Sequence, residues 1–416
     1  MRRTVCVGLL CLLVETAAAA DYRADAENYR EQLRRLQAGD RLLLDPGDYL
    51  QGLPLHGLSG KAGQPIFIEA ANPAAPPRFI ARPQANTISL VDSRHLVVRH
   101  LELDGRNLPV DAVKAEGHSR YADFITLEHL FIHNHAASQQ NVGISTKCPS
   151  FGWVVRNNRI ERVGTGMYFG NSDGSDPFVG GVIENNRITQ TLGYNLQIKH
   201  QTAPRSGAFA RSQDTVIRHN LFSKSDALPG PLARPNVLLG HGTLAGAGSD
   251  ERYLVYGNVF LHNPSEALLQ AEGRVAIYDN VFINGSGDAI RVQPHNDVPR
   301  DMDIFSNTIL ASGTGIHVRQ GAGTGYRQRV MANVVAAATP LQGGETAYNV
   351  SLAYQADALN AALPDLTERL LKDQPTPRLP DALMRELATY PDWQADSRSG
   401  VTLAPGMLRK LKSHQP

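Results

Sequence analysis

Cysteine is nearly absent from this 416-residue chain: only Cys6, Cys11 and Cys148 occur. That excludes the disulfide frameworks that staple small secreted domains. Neither sign of charge is in excess, with 41 Lys and Arg against 40 Asp and Glu. A dedicated nucleic-acid binder, which needs a basic surplus, is therefore not expected. Long apolar runs are missing beyond a short one at Val5–Val14, which excludes a multispanning membrane protein. No Gly-x-Gly-x-x-Gly follows a strand, no P-loop is present, and no Cys/His set has zinc spacing. What is plentiful is apolar content, 42% of residues, and turn formers, with 37 Gly and 25 Pro. The first rules out disorder and the second favours many short strands.

Arg2 and Arg3, the apolar run and Ala18-Ala19-Ala20 before Asp21 read as a signal peptide cleaved near Ala20. Cys11 follows Leu10, so no lipid anchor is expected. The expectation is a periplasmic or secreted protein without a membrane anchor. The mature chain then keeps one cysteine, Cys148, and cannot form an intramolecular disulfide. Its stability must come from a large core or a stack of repeats.

A repeat is present. Asn157-Asn158-Arg159-Ile160 returns as Asn185-Asn186-Arg187-Ile188 and as His219-Asn220-Leu221-Phe222. It recurs around Asn258, Asn280, Asn307 and Asn333, and upstream around His100 and His129. The steps are 29, 29, 28, 34, 38, 22, 27 and 26 residues. A β-rich run precedes each unit and a second short strand follows about ten residues later. One such period fits one coil of a right-handed parallel β-helix, with apolar side chains stacked inside. An inward Asn at the same turn of each coil can bond the next coil's backbone and form a ladder. The frame of a leucine-rich repeat is absent.

The fold class expected is all-β: a right-handed parallel β-helix of about nine to eleven coils. An N-terminal capping helix is expected over Ala24–Leu36 and an irregular C-terminal segment after the repeat ends, with a helix over Ala356–Lys372. The division is 1–20 signal peptide, 21–352 β-helix and 353–416 C-terminal cap or tail, without a second enzymatic domain.

Alternation along the second strands assigns outward faces. Asn195, Gln197 and Lys199 are expected to point out, with Gln201 beyond them. Glu266, Gln270 and Glu272 follow, then Arg291, Gln293 and His295, then His317 and Arg319. Two coils earlier Tyr168 and Gly170 face out beside the polar loop Asn171–Asp176, preceded by Gly143, Ser145 and Lys147. Coils stack at roughly 4.8 Å, so these residues form one polar face suited to an extended polar ligand such as an oligosaccharide. Arg99, Arg156 and Arg218 share one slot before the marker and read as structural; His100, His129 and His219 sit in or beside the ladder. The segments Ala203–Asp214 and Ser225–Pro235 lengthen the two longest steps and are expected to wall the site.

Leu36-Gln37-Ala38-Gly39-Asp40-Arg41-Leu42, Asp45-Pro46-Gly47-Asp48-Tyr49 and Gly63-Gln64-Pro65-Ile66 resemble the opening coils of alginate and chondroitin lyases of the chondroitinase-B type, polysaccharide lyase family 6. The similarity continues through the Asn-marked coils to about Asn333. It implies a lysine base on a central coil, which falls on Lys199, and an arginine about one coil later. That arginine's place holds Gly240, in Leu238-Leu239-Gly240-His241-Gly242, so Arg234 or Arg291 would have to replace it. Calcium, where that family has it, binds the substrate carboxylate; Asp173 and Asp176 are the acidic residues available here.

β-Elimination removes a weakly acidic proton next to a uronate carboxylate, so a cation must neutralise the carboxylate. A lysine base, unperturbed at ~10.4, must have its pKa lowered by burial or by cations, with His200, Arg218 and Arg234 as sources. His241 is a candidate acid or substrate donor, and Tyr168 can stack on a sugar or donate its hydroxyl proton. Glu266, Glu272 and Asp173 instead suggest a glycosidase carboxylate set. The expectation is a monomeric enzyme on an acidic polysaccharide, an eliminase by resemblance. A β-helix hydrolase, a uronate epimerase and a non-catalytic polysaccharide binder stay open.

Overall fold

The computed structural model describes residues 19–202, 212–225, 232–319, 325–375 and 377–393. All but the last two residues of the expected signal peptide 1–20, most of Ala203–Asp214 and much of Ser225–Pro235 lie outside these residues.

The short strands pair only in parallel, each with its equivalent one coil away, and build three ladders. The first runs through thirteen strands from Asp21–Ala24 to Glu345–Ala347. The second follows the asparagine corner, as in Arg159–Val163 over Arg187–Thr191. The third stacks Thr165–Phe169, Leu196–Ile198, Val237–Leu239, Leu269–Ala271 and Ile290–Val292. This is a parallel β-helix. Inward residues form one continuous core, including the stacked rings of Phe222, Phe260 and Phe282.

The corner explains the repeat. Asn158, Asn186, Asn220, Asn258, Asn280, Asn307, Asn333 and Asn349 form an unbroken ladder. From Asn186 onward each amide oxygen accepts from both the backbone N–H and the side-chain amide of the asparagine one coil before, as Asn220 does from Asn186 at 2.9 Å each. The preceding residue turns the chain with left-handed backbone, φ 56° at Asn157 and Asn185 and 57° at His219. Asn, Asp and His tolerate that region better than most residues. His100 and His129 hold this turn position, with rings stacked 4.8 Å apart, so the ladder position in these two coils is Leu101 and Leu130. Arg99, Arg156 and Arg218 form ion pairs with Glu69, Glu128 and Glu184 across the first ladder.

Both terminal helices are shorter than expected. Asp21–Ala24 is a strand paired with Arg41–Leu44, and the helix is confined to Tyr29–Leu33. Asp25 Oδ1 accepts the N–H groups of Glu27 and Asn28, a turn that stops the helix from starting earlier. The expected Ala356–Lys372 helix divides into 3₁₀ turns at Ala356–Asn360 and Leu363–Asp365 and a helix at Leu366–Leu371, with a proline at the second start. This segment folds back along the coils. Leu366 and Leu370 pack on the outer side of the second ladder. Leu387, Tyr390 and Trp393 pack on the first, where Tyr278 donates to the Pro391 carbonyl.

Candidate active site on the third ladder

Register puts Pro54, Ser89, Lys114, Ser145, Tyr168, Gln197, Leu238, Gln270, Arg291, His317 and Gln342 in one outward column of eleven rungs. Two residues further along each strand runs a second column: Lys147, Gly170, Lys199, Gly240, Glu272 and Gln293. Its backbone bonds hold the same order, from Lys199 to Phe169, Gly240 to Ile198, Glu272 to Leu239 and Gln293 to Ala271. Lys199 thus stands between two glycines, with no side chain on the rung above or below it.

Sterics account for both glycines. Gly170 has φ 84°, and a Cβ there would lie 3.3 Å from Lys199 Cβ. A Cβ on Gly240 would lie 2.4 Å from the His200 nitrogen and 2.8 Å from the Lys199 carbonyl carbon. No side chain fits at Gly240, so the arginine that the resemblance implies is excluded by the backbone one rung away.

Lys199 is half-buried; desolvation lowers its pKa, and Glu272 opposes the shift. Burial pushes Lys147 down to about 8, and Lys199 is among the cations adding to that shift. The Lys147 ammonium sits 3.3 Å from the centre of the Tyr168 ring. Tyr168 donates to or accepts from Ser172 at 3.1 Å, and burial raises its pKa. His200, lowered by burial and then by His241 and Lys199, has its ring 5.4 Å from that of His241. His241 is buried, with Nδ1 2.8 Å from the Gly242 carbonyl.

A second cluster lies toward the other end of the strip. Gln270 donates to Glu266 at 2.9 Å, and Arg291 approaches the same carboxylate at 3.8 Å while pairing with Asp288. Lys224, buried, donates to the Arg234 carbonyl at 2.7 Å; burial pushes its pKa down to about 7 against Glu266. The Arg234 guanidinium lies 6.0 Å from the Tyr194 ring. Glu266 bonds Gln270, two rungs above Gln197 and two residues short of Lys199's column. At ~4.8 Å per rung and ~3.3 Å per residue, the Gln270 backbone lies about 12 Å from that of Lys199.

Several expected roles therefore change. Asn195 does not face the groove: it is fully buried at a corner and donates to Thr191 Oγ1 and the Ser223 carbonyl. A corner residue does not obey strand alternation. Gln201 is buried and donates to the Phe178 carbonyl. Gln197 is in the outward column but buried. Glu272 is 1% exposed; its oxygens accept from the N–H groups of His241, His295, Asn296 and Asp297. It braces a turn and is not free for hydrolytic chemistry, while the His295 residue above it is exposed. Arg234 and Arg291 belong to the Glu266 cluster, and Arg218 is bound on the first ladder, so none of the three supplies the field at Lys199. Glu266, Glu272 and Asp173 do not converge. Lys224 is absent from the expected site, and Lys147 is expected on the outward face but without a role; its two-residue offset from Ser145, matching Lys199 from Gln197, carries the signal for it.

Asp173 and Asp176 do not make a calcium site. Asp173 Oδ1 accepts from Ser175 N–H and hydroxyl, and Asp176 Oδ2 accepts from Asn171. Among the described residues no three His, Cys, Asp or Glu gather as metal ligands. Nor, among them, is any helix long and apolar enough to cross a membrane.

A family model for the right-handed beta helix region matches residues 142–327. No curated protein matches. Solved structures with a similar fold include an alginate lyase from a Paenibacillus strain, 16% identical over 80% of this chain and 99% of that one, TM-score 0.44. A lacto-N-biosidase from Eubacterium ramulus is 14% identical over 80% and 68%, TM-score 0.49. The A-module of a mannuronan C-5 epimerase from Azotobacter vinelandii is 16% identical over 76% and 90%, TM-score 0.42. What the chain shares with these polysaccharide lyases, epimerases and glycoside hydrolases is the right-handed parallel β-helix.

Proposed function

We propose that this chain is an exported enzyme that cleaves an acidic, uronate-containing polysaccharide by β-elimination, with Lys199 as the base. The observation that carries this reading is the gap around Lys199, flanked by Gly170 and Gly240 and bordered by Lys147 and Tyr168. A sugar ring seated there meets a desolvated amine, and desolvation favours the neutral form that a base requires. Charged Lys147 neutralises the uronate carboxylate and stabilises the enediolate. Lys199 Nζ takes the proton next to the carboxylate. The electron pair forms the new carbon–carbon double bond as the glycosidic carbon–oxygen bond breaks, and the Tyr168 hydroxyl protonates the leaving oxygen.

The test is turnover of a panel of acidic polysaccharides, followed by ultraviolet absorbance of unsaturated ends. Lys199→Ala is expected to abolish turnover and to keep substrate binding. Reducing ends without that absorbance would replace elimination by hydrolysis, and C-5 inversion without cleavage would replace it by epimerisation. Unchanged turnover in Lys199→Ala would remove Lys199 from the chemistry.

A further inference from the structure

The outward strip does not run off the N-terminal end of the molecule. It ends in a polar cavity of about 500 Å³ at the first two rungs. Leu53–His56 is the first strand of the third ladder, and Ser89 lies one rung on. Arg30, on the Tyr29–Leu33 helix, and Arg82, in the turn closed by the Arg82–Ala85 bridge, line it from outside the ladder. Among the described residues neither arginine has a carboxylate within salt-bridge distance; Arg30 donates to the Gln51 side-chain oxygen at 3.1 Å.

The floor is organised by hydrogen bonds. Ser89 hydroxyl and Asn86 amide both donate to Glu116 Oε1, at 3.0 and 2.8 Å, and His56 Nε2 lies 3.0 Å from Ser89 Oγ. Burial lowers the His56 pKa, so the imidazole is a neutral polar group at neutral pH. Two guanidinium groups thus oppose one carboxylate that is already bonded twice. The opening favours an anion, and the hydroxyl, amide and imidazole groups suit sugar hydroxyls.

The geometry points to a subsite here for the terminal acidic sugar of an oligosaccharide whose other end reaches Lys199, with Arg30 and Arg82 meeting its carboxylate. This rests on the acidic-polysaccharide reading above. Five rungs separate Pro54 from Gln197, about 24 Å. Lys147 lies along that path, as does Lys114, which pairs with Asp111 at 3.5 Å. A cavity that closes the strip also favours recognition of chain ends over the chain interior.

Length dependence separates this role from a structural one. Labelled hexasaccharides and disaccharides of mannuronate, guluronate and galacturonate are titrated into Lys199→Ala protein, with and without Arg30→Ala and Arg82→Ala. The hexasaccharide bound best is expected to lose about tenfold or more in affinity in the double variant, as for loss of charge-assisted contacts. The matching disaccharide, too short to span the strip, is expected to change less than about twofold. Arg82→Lys in the Arg30 wild-type background should keep part of the hexasaccharide affinity. Equal losses for both lengths, or none for the hexasaccharide, overturn the subsite and leave the Lys199 reading standing. Absence of binding and of turnover for every acidic sugar in the wild-type protein overturns both.

Discussion

Gly240→Ala tests the packing and the chemistry in one substitution. The added methyl would lie 2.4 Å from the His200 nitrogen and 2.8 Å from the Lys199 carbonyl carbon, where ordinary contact begins at 3.4 Å. The two rungs must part by about 1 Å, because the atoms it meets are backbone and have no rotamer to escape into. Overpacking of this kind costs ~1–3 kcal/mol. The bonds from Gly240 N–H to the Ile198 carbonyl and from Gln201 N–H to the His241 carbonyl lie across the same seam. Weakening them brings the expected loss to about 3 kcal/mol. The displaced backbone is that of Lys199, and a ~1 Å error in a reacting group costs on the order of 100-fold in rate. Gly240→Arg, which restores the arginine implied by the resemblance, should be worse still. Gly242→Ala is the control, since a Cβ there meets nothing within 4 Å. Urea unfolding followed by circular dichroism reads stability, and absorbance of unsaturated ends reads turnover. Gly240→Ala protein within ~0.5 kcal/mol of wild type and fully active would refute the account of this seam.

Asn220→Ala removes the acceptor for Asn186 N–H and side-chain amide and the donor to the Ile183 carbonyl, all buried, so a loss of about 3 kcal/mol is expected by urea unfolding. Asn349→Ala, at the part-exposed end of the ladder, should cost less. Lys224 has a folded pKa of about 7 against ~10.4 unfolded, so between these values the unfolded chain binds the extra proton. Its penalty is complete below pH 7 and relieved as pH rises toward 10; subtracting the Lys224→Met curve from wild type should expose a rise on the order of 4–5 kcal/mol, and parallel curves would contradict it. Lys147 must be charged to neutralise the carboxylate, so kcat/KM should fall as pH rises through about 8, and Lys147→Arg should shift that fall to higher pH. An unshifted alkaline limb would assign it to another group.

The recurrence of asparagine before an apolar pair was enough to predict the coils, because each rung makes the same bonds to the next and must repeat the same residues. The third-strand face and the outward direction of Lys199 followed from two-residue alternation; its role as base came from the resemblance and is a proposal. Alternation failed at Asn195, where the chain turns a corner, and at Glu272, whose four N–H donors come from His241 and from a turn more than twenty residues later. The one-residue offset of His129 from the ladder was equally hidden, since the left-handed turn residue precedes the ladder residue and either can be polar.

Repetition along the chain determined the architecture, since a periodic pattern can bury its apolar side only by stacking on itself. Which polar residues meet was decided by the stack, because neighbours in a column are separated by a full coil of variable length. Arg234 and Lys199 lie 35 positions apart in the sequence yet belong to different clusters, whereas Lys199 adds to the lowered pKa of Lys147 across 52 positions. The exclusion of any side chain at Gly240 is of the same kind: it follows from the approach of one backbone to another, which no single strand encodes.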